Sequence, residues 1–333
     1  MSSLDLNRRR FLAGAGTTAA VALVGAPGSE WGAAPMLGPV EPKVYRFELG
    51  GFEATMVADS NAFVNGPWPL TGGNAERSAV DELMTANLLP ANKYQPGFTP
   101  MIVNTGKEVV IFDTGNGERG FVPRPKGGWL AKQLEPAGFK PEQIDVVVLS
   151  HGHPDHVGGI LENGKPLFPN ARYATSAVDY DYWSGDRPTG DLAKQAALYR
   201  DHVVPMAEKT TFLNPGDEVV PGIRAIGAYG HTPGHLGFDI ESDGKRLVFW
   251  GDCAHHQVAS LARPDWHCVF DIDKEQAAET RARMFDMVAT DRVAVSGYHM
   301  PFPSLGYVER RKDGGYRWIA IPTNSRFNGT IVT

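Results

Sequence analysis

Residues 150–159 read SHGHPDHVGG and place three imidazoles and a carboxylate within six residues. Burying so many polar groups without partners is costly, and imidazole and carboxylate donors together suit zinc, iron, manganese or cobalt. If the loop begins where a strand ends, His151 and His153 face one metal ion, while Asp155 and His156, one turn further on, face a second. The spacing therefore predicts a metal-binding loop, with a histidine-rich surface loop as the alternative.

Three later positions offer further ligands, and each follows an apolar run that reads as a strand. His231 lies in a G-H-T-P-G-H turn. Two histidines around a Pro-Gly pair cannot share a regular helix, so at most one is expected to be a ligand while the other packs or hydrogen-bonds. His231 directly follows its strand and is the expected ligand. Asp252 ends a later run, where a carboxylate can bridge two cations about 3.5–4 Å apart. His299 completes the candidate set.

The candidate ligands depend on apolar, β-branched runs that each read as a buried strand leading into a loop. These runs span residues 108–115, 145–151, 224–231, 246–252 and 292–299. Helical patterns lie between them, over residues 128–138 and, more clearly, 274–289. The face of the longer helix comprises Ala277, Arg281, Met284, Phe285 and Val288. Strands and helices are thus intermixed, which predicts an α/β fold with the ligands at strand ends, where open α/β sheets place their sites.

Composition limits the size of the core and the class of partner. The chain has 333 residues, 42% of them hydrophobic, which is enough for one large α/β domain or two modest ones. A net charge of −6, without a run of Lys or Arg beyond the N-terminus, argues against nucleic acid, so we expect a small-molecule substrate. Cys253 and Cys268 are too few for a disulfide framework, and one bridge or two buried thiols both stay open.

Residues 60–100 are less regular than the rest of the chain. They contain Pro67-Trp68-Pro69 and Gly72-Gly73, and a helix is predicted over residues 78–88. We interpret this segment as a loop and helix that form a lid over the site, with an N-terminal embellishment as the alternative.

Residues 1–35 have the composition of an export signal. Residues 7–12 read NRRRFL, and residues 13–26 form a weakly apolar stretch too short to span a bilayer as a stable helix. The adjacent arginines resemble a twin-arginine signal, which implies folding before export. We therefore expect a bacterial periplasmic or secreted protein whose domain spans residues 36–333, with no stable membrane anchor. A disordered basic tail is the alternative.

Four motifs, H-x-H-x-D-H, G-H-T-P-G-H, G-D and G-x-H, occur in the order that is typical of the metallo-β-lactamase superfamily, which residues 44–310 resemble. The resemblance implies an α/β domain built as a four-layer αββα sandwich, with a two-metal site at one edge of its packed sheets. The ligands that it implies are His151, His153 and His231 for the first metal, Asp155, His156 and His299 for the second, and Asp252 as the bridge. Asp113 matches a position that supports the metal loop, with a turn-forming aspartate as the alternative. We expect two Zn²⁺ ions, with Fe, Mn or Co as the other choices.

Two cations that share a carboxylate can also share a water and lower its pKa from 15.7 towards about 7. The ligand set and the resemblance thus imply a hydrolase that uses a metal-bridging hydroxide. The candidates for moving the proton are Asp155, His255 and Tyr298. His256, like His255, is a candidate for the pocket, whereas His202 and His267 are expected to be surface or structural residues.

Within the superfamily, Asp252, the two histidines after it and the MPFP sequence at residues 300–303 resemble the N-acyl-homoserine lactonases and methyl-parathion-type hydrolases. The resemblance implies cleavage of a lactone or ester, most similar to an N-acyl-homoserine lactone, with organophosphates or aryl esters as the alternative. One departure concerns His255, which stands where similar lactonases often carry a tyrosine, so the proton donor stays open. A homodimer also stays open.

Two rival classes fit the residues less well. An iron-dependent oxidoreductase of the flavodiiron type would need a carboxylate where His153 stands, and a persulfide dioxygenase would use one iron and leave the second set of ligands unused. A binding module that uses metal only for stability would need fewer ligands, since a closed structural zinc site takes four.

Overall fold

The computed structural model describes residues 43–122 and 124–322, so the predicted export signal lies outside the described residues and stays a prediction. The strands are β1 (Val44–Leu49), β2 (Phe52–Val57), β3 (Val64–Asn65), β4 (Lys93–Tyr94), β5 (Met101–Asn104), β6 (Val109–Phe112), β7 (Val146–Val148), β8 (Leu161–Glu162), β9 (Lys165–Pro166), β10 (Arg172–Ser176), β11 (Thr210–Leu213), β12 (Glu218–Val220), β13 (Ile223–Gly227), β14 (Leu236–Ser242), β15 (Lys245–Phe249), β16 (Ala294–Ser296), β17 (Leu305–Arg310) and β18 (Tyr316–Ala320). The helices are α1 (Arg77–Ala86), α2 (Leu130–Gln133), α3 (Pro154–Val157), α4 (Ala177–Ser184), α5 (Asp191–His202), α6 (Ala259–Ala262) and α7 (Lys274–Asp291). Across these described ranges, no helix is both long enough and apolar enough to cross a membrane.

Two seven-stranded mixed sheets pack face to face. In pairing order, the first contains β1, β2, β5, β6, β7, β10 and β11, and the second contains β12 to β18 in sequence. Alternate residues of β1 are buried, as expected of a strand with one face on the core, whereas all of β7 is buried. The ring of Phe112 in the first sheet lies 5.3 Å from that of Phe238 and 5.2 Å from that of Phe249, both in the second. The two inner faces therefore form one core.

Helices cover the outer faces of both sheets. Trp183 of α4 and Tyr199 of α5 pack in one buried cluster with Val147 of the first sheet. Phe285 of α7 packs against Trp250, which directly follows β15 of the second sheet, with ring centroids 5.2 Å apart. The order of layers is thus helix, sheet, sheet, helix, which confirms the predicted αββα sandwich.

The five strands predicted from apolar runs are present as β6, β7, β13, β15 and β16, each shorter than its run. The predicted helix over residues 274–289 is confirmed as α7, which begins after Asp273, whose side chain accepts a hydrogen bond from the Gln276 amide. The helix predicted over residues 128–138 is shorter, because α2 ends at Gln133 and Pro136 disfavours helical backbone at the residue before it. Cys253 and Cys268 are two buried free thiols.

Candidate metal centre

The H-x-H-x-D-H loop begins where β7 ends, between its parallel neighbours β6 and β10. His153 has extended backbone and directly precedes α3, so Asp155 and His156 fall on the first turn of that helix. Gly158 follows, and a Cβ there would lie 2.1 Å from a main-chain oxygen of the loop after β6. Only glycine allows so close an approach, which brings the metal-binding loop against the end of β6.

His151, His153 and His231 converge on one point. The Nδ1 atom of His153 lies 3.0 Å from His151 Nε2 and 2.9 Å from His231 Nε2. Asp252 closes this group, because its Oδ2 lies 3.3 Å from His231 Nε2 and 3.8 Å from His151 Nε2. All four side chains are buried, and their ligand atoms lie within 4.8 Å of one another. One cation can contact such a set of atoms at once.

Asp155, His156 and His299 form a second buried group. Oδ2 of Asp155 lies 3.5 Å from His156 Nε2 and 3.6 Å from His299 Nε2. Asp252 faces this group as well, since its Oδ1 lies 3.3 Å from His156 Nε2 and its Oδ2 lies 2.9 Å from His299 Nε2. The seven predicted ligands are therefore brought together as two groups that share one carboxylate.

The donor set fits two divalent cations. His156 Nε2 and Asp252 Oδ1 are both buried, and although they lie 3.3 Å apart, neither atom makes a hydrogen bond among the residues that the structure describes. Leaving such atoms unpaired costs about 1–3 kcal/mol each, which a bound cation would offset. Burial, together with the neighbouring imidazoles, holds the pKa of His151 and of His153 well below its ordinary value. Both rings are therefore neutral, as metal ligands must be. The carboxylates beside His156, His231 and His299 outweigh burial and raise the pKa of those three rings, so a cation that binds there would displace a proton from each.

A cavity of about 190 Å³ opens over these two groups. Its apolar wall comprises Val64, Leu70, Phe98, Phe121, Val122 and Phe270, and Asp155, Asp252 and His299 lie at its polar end. Several of the lining residues belong to the segment 60–100, so this segment borders the cavity. Its role as a lid stays a prediction.

The family model described as the metallo-beta-lactamase superfamily matches residues 99–294, more than half of the chain. The chain belongs to the metallo-beta-lactamase superfamily. Among curated proteins it is 34% identical over 128 residues to the probable metallo-hydrolase YflN of Bacillus subtilis (strain 168), and 31% identical over 119 residues to an N-acyl homoserine lactonase of Bacillus cereus. These matches cover 35% and 34% of this chain, and 47% and 40% of the relatives, so the chain spans less than half the length of either.

Two solved structures resemble this one over most of its length. AidC, a dizinc quorum-quenching lactonase, has a TM-score of 0.78 and 23% identity, and the match covers 84% of this chain and 98% of that one. The hydrolase AbOPH has a TM-score of 0.78 and 26% identity, with 85% and 99% covered. The first likeness shows the fold alone. Together with the family match, these results confirm the resemblance drawn from the motifs.

Asp113 supports the metal-binding loop, as the superfamily resemblance implied. Its Oδ2 lies 2.8 Å from His156 Nδ1 and accepts a hydrogen bond from the Ser150 hydroxyl, while its Oδ1 accepts one from the Ser150 amide. The carboxylate thereby fixes the orientation of the His156 ring and the start of the loop together.

Sequence reasoning missed a second support, formed by Asp271 and Arg281. Oδ1 of Asp271 lies 2.8 Å from His231 Nδ1, and its Oδ2 accepts a hydrogen bond of 2.8 Å from Arg281. Burial raises the pKa of Asp271, but its contacts with His231 and Arg281 outweigh this and keep the carboxylate ionised. The one available signal was Arg281, a charged residue on the otherwise apolar face of the predicted helix α7.

The G-H-T-P-G-H turn is held by Asp179, which sequence reasoning also missed. Its carboxylate accepts hydrogen bonds from the Thr232 hydroxyl and the Gly234 amide. His235 is not part of either metal group: its Nδ1 lies 2.8 Å from the Ala228 carbonyl oxygen, and its Nε2 accepts a hydrogen bond from the Asp252 amide. His235 thus hydrogen-bonds, as expected, and positions the shared carboxylate.

The predicted proton carriers occupy different environments. Tyr298 donates a hydrogen bond of 2.6 Å to the main-chain oxygen of Asp155, which commits its hydroxyl to holding the loop. His255 lines the cavity, with its Nε2 3.4 Å from Asp252 Oδ2, and burial lowers its pKa to about 4. Asp155 and His255 therefore remain better placed than Tyr298 to exchange a proton with a bound molecule.

The remaining histidines lie outside the two metal groups. His256 uses its Nδ1 to accept hydrogen bonds from the amides of Val258 and Ala259 at the start of α6, although it also borders a neighbouring cavity. His202 lies 3.3 Å from the carbonyl oxygen of Val157, and His267 pairs loosely with a glutamate. These contacts agree with the expectation that His202 and His267 are surface or structural residues.

Proposed function

We propose that the chain is a dinuclear metal-dependent hydrolase that cleaves a lactone or ester. The proposed substrate resembles an N-acyl-homoserine lactone. The observation that carries the proposal is the position of Asp252, whose two oxygens face both buried ligand groups at the polar end of the cavity. A structural site would not need two groups that share a carboxylate and open onto a cavity.

His151, His153 and His231 would hold one cation, Asp155, His156 and His299 the other, and Asp252 would contact both. Two bound cations lower the pKa of a water and polarise the substrate carbonyl oxygen. Asp155 and His255 both line the cavity and are the residues that can accept a proton from the attacking water. Asp113 and Asp271 keep the rings of His156 and His231 in the orientation that ligation requires.

The shape and chemistry of the cavity support an acyl substrate. Its wall is largely apolar and includes Leu70, Phe98, Phe121 and Phe270, so it can hold an acyl chain while the polar end receives the carbonyl group. Curated relatives named N-acyl homoserine lactonases support the lactone class. Aryl esters or organophosphates are the second candidate, because the rings of Phe121 and Phe270 lie 6.1 Å apart beside the site and can contact an aryl group.

A hydrolysis panel tests this proposal. Purified, metal-loaded protein is assayed with acyl-homoserine lactones of several chain lengths, aryl esters, aryl phosphotriesters and a β-lactam. We expect the highest kcat/KM for a lactone or carboxylic ester. One redox-active iron per chain, with oxygen consumption and no ester hydrolysis, would replace the hydrolase with an oxidoreductase.

A further inference from the structure

Tyr94 lies where two cavities meet. It belongs to β4, which pairs with β3 through Val64 and Tyr94 in the segment that borders the site. Besides the cavity over the metal groups, a second one of about 260 Å³ adjoins it, with Lys93, Gln95 and Gln257 among its walls. Tyr94, His255 and His299 are the residues that line both cavities. A substrate with one arm in each cavity would therefore pass beside Tyr94.

The tyrosine ring is fixed and its hydroxyl is free to bind a substrate. The ring packs against the backbone of Gly66, where an added Cβ would lie 3.2 Å from it, and against the ring of His256, with centroids 5.2 Å apart. Within residues 43–122 and 124–322, the side chain of Tyr94 makes no hydrogen bond. Burial raises the pKa of the hydroxyl, so it stays a donor at neutral pH.

Other donors are placed less well. Tyr298 is committed to the Asp155 carbonyl oxygen, and Lys93 and Gln95 line the second cavity but not the cavity over the metal groups. Among the residues that line the cavity over the metal groups, Tyr94 has the one hydroxyl group. If an ester substrate places its acyl arm in one cavity and its alcohol arm in the other, the ester bond between the arms lies at the junction. A donor at the junction can then hydrogen-bond to the oxygen of that bond.

We propose that the Tyr94 hydroxyl is a catalytic hydrogen-bond donor to the leaving-group oxygen of the bound ester or lactone. This inference rests on the proposed hydrolase function. In the step, the water oxygen forms a bond to the acyl carbon, and the bond from that carbon to the leaving oxygen breaks. The electron pair stays on the leaving oxygen, which accepts the hydrogen bond from Tyr94 and finally receives a proton that came from the water. Tyr94 keeps its own proton, and the products are a carboxylic acid and an alcohol.

The test compares Tyr94→Phe with wild type on hexanoate esters of 4-nitrophenol, phenol and ethanol, in order of rising leaving-group pKa. A donor to the leaving oxygen matters most when that oxygen is most basic. We expect kcat for the ethyl ester to fall by about 100-fold or more, and that for the 4-nitrophenyl ester by less than about 5-fold. Bound metal per chain should be unchanged.

Tyr180→Phe is the matched control, because Tyr180 contacts Tyr199 and Phe212 and lines neither cavity. It should leave all three rates unchanged. A loss in Tyr94→Phe that is equal for the three esters, absent, or accompanied by loss of metal would overturn the role of Tyr94 while leaving the hydrolase intact. If wild type cleaves none of these esters and no lactone, the proposed function fails first, and the role of Tyr94 fails with it.

Discussion

Replacing Arg281 by methionine removes a charge that the fold buries almost completely, since the residue is 2% exposed. The guanidinium donates to the main-chain oxygens of Cys253, Pro264 and Trp266. It also donates to Asp271, whose other oxygen contacts His231 Nδ1 at 2.8 Å. The substitution therefore leaves a buried carboxylate without its countercharge and several carbonyl oxygens without a donor, directly behind a candidate metal ligand.

Removing one partner of a buried ion pair costs about 3–5 kcal/mol, because the other charge stays buried and unpaired. We expect Arg281→Met to lower the free energy of unfolding by that amount in a urea titration of the metal-free protein. Arg317→Met is the control, since Arg317 pairs with Glu309 at the surface and its side chain is 64% exposed. Exposed pairs contribute at most about 1 kcal/mol.

The same substitution should weaken metal binding. Asp271 would no longer be held by Arg281, so the His231 ring would lose part of its orientation, and loss of such support typically costs about 10–100-fold in metal affinity. Competition with a chromophoric chelator measures this change. An unfolding free energy within about 1 kcal/mol of wild type, as in the control, would refute the interpretation of the pair as a buried support.

Three further outcomes are expected. His153→Ala should abolish hydrolysis and reduce bound metal, whereas His202→Ala should change neither; equal rates and metal contents in the two variants would contradict the ligand assignment. Asp179→Ala should weaken metal binding by about 10–100-fold, measured with the same chelator, because the turn at Thr232 and Gly234 loses its anchor; unchanged affinity would rule out this role. Removing metal with a chelator should lower the melting temperature, and adding zinc should restore it. A ligand bound only by the folded state stabilises that state by about 2.7 kcal/mol at 100 times its Kd. A melting temperature that does not change with metal would argue against a buried metal centre.

Features that depend on short stretches of sequence were the predictable ones. The loop around His153 is recognisable from its histidine-rich composition, and the strands before Asp252 and His299 are recognisable from their apolar runs. The ligands and the strand ends that hold them could therefore both be predicted from local sequence. The layer order came from the superfamily resemblance. The exact ends of helices were harder to predict. In α2, a proline inside the predicted helical pattern shortened the helix.

Contacts between distant segments could not be predicted. Asp271 reaches His231 across 40 positions of sequence, and nothing in its own surroundings marks it as a partner of a metal ligand. Tyr94 lies in the irregular segment 60–100, and only the pairing of β3 with β4 brings it to the cavity. Tyr298 was predicted as a proton carrier because it lies next to a ligand in sequence. The structure shows instead that its hydroxyl donates a hydrogen bond to the main-chain oxygen of Asp155.

The most direct test of the central claim is a metal titration with activity measured in the same samples. Metal-free protein receives zinc in steps, and the initial rate of lactone or ester hydrolysis is recorded against bound zinc per chain. Because Asp252 joins two complete ligand groups, the rate should rise until two equivalents are bound and then stay constant. A rate that saturates at one equivalent, or that does not depend on metal, would contradict the dinuclear site.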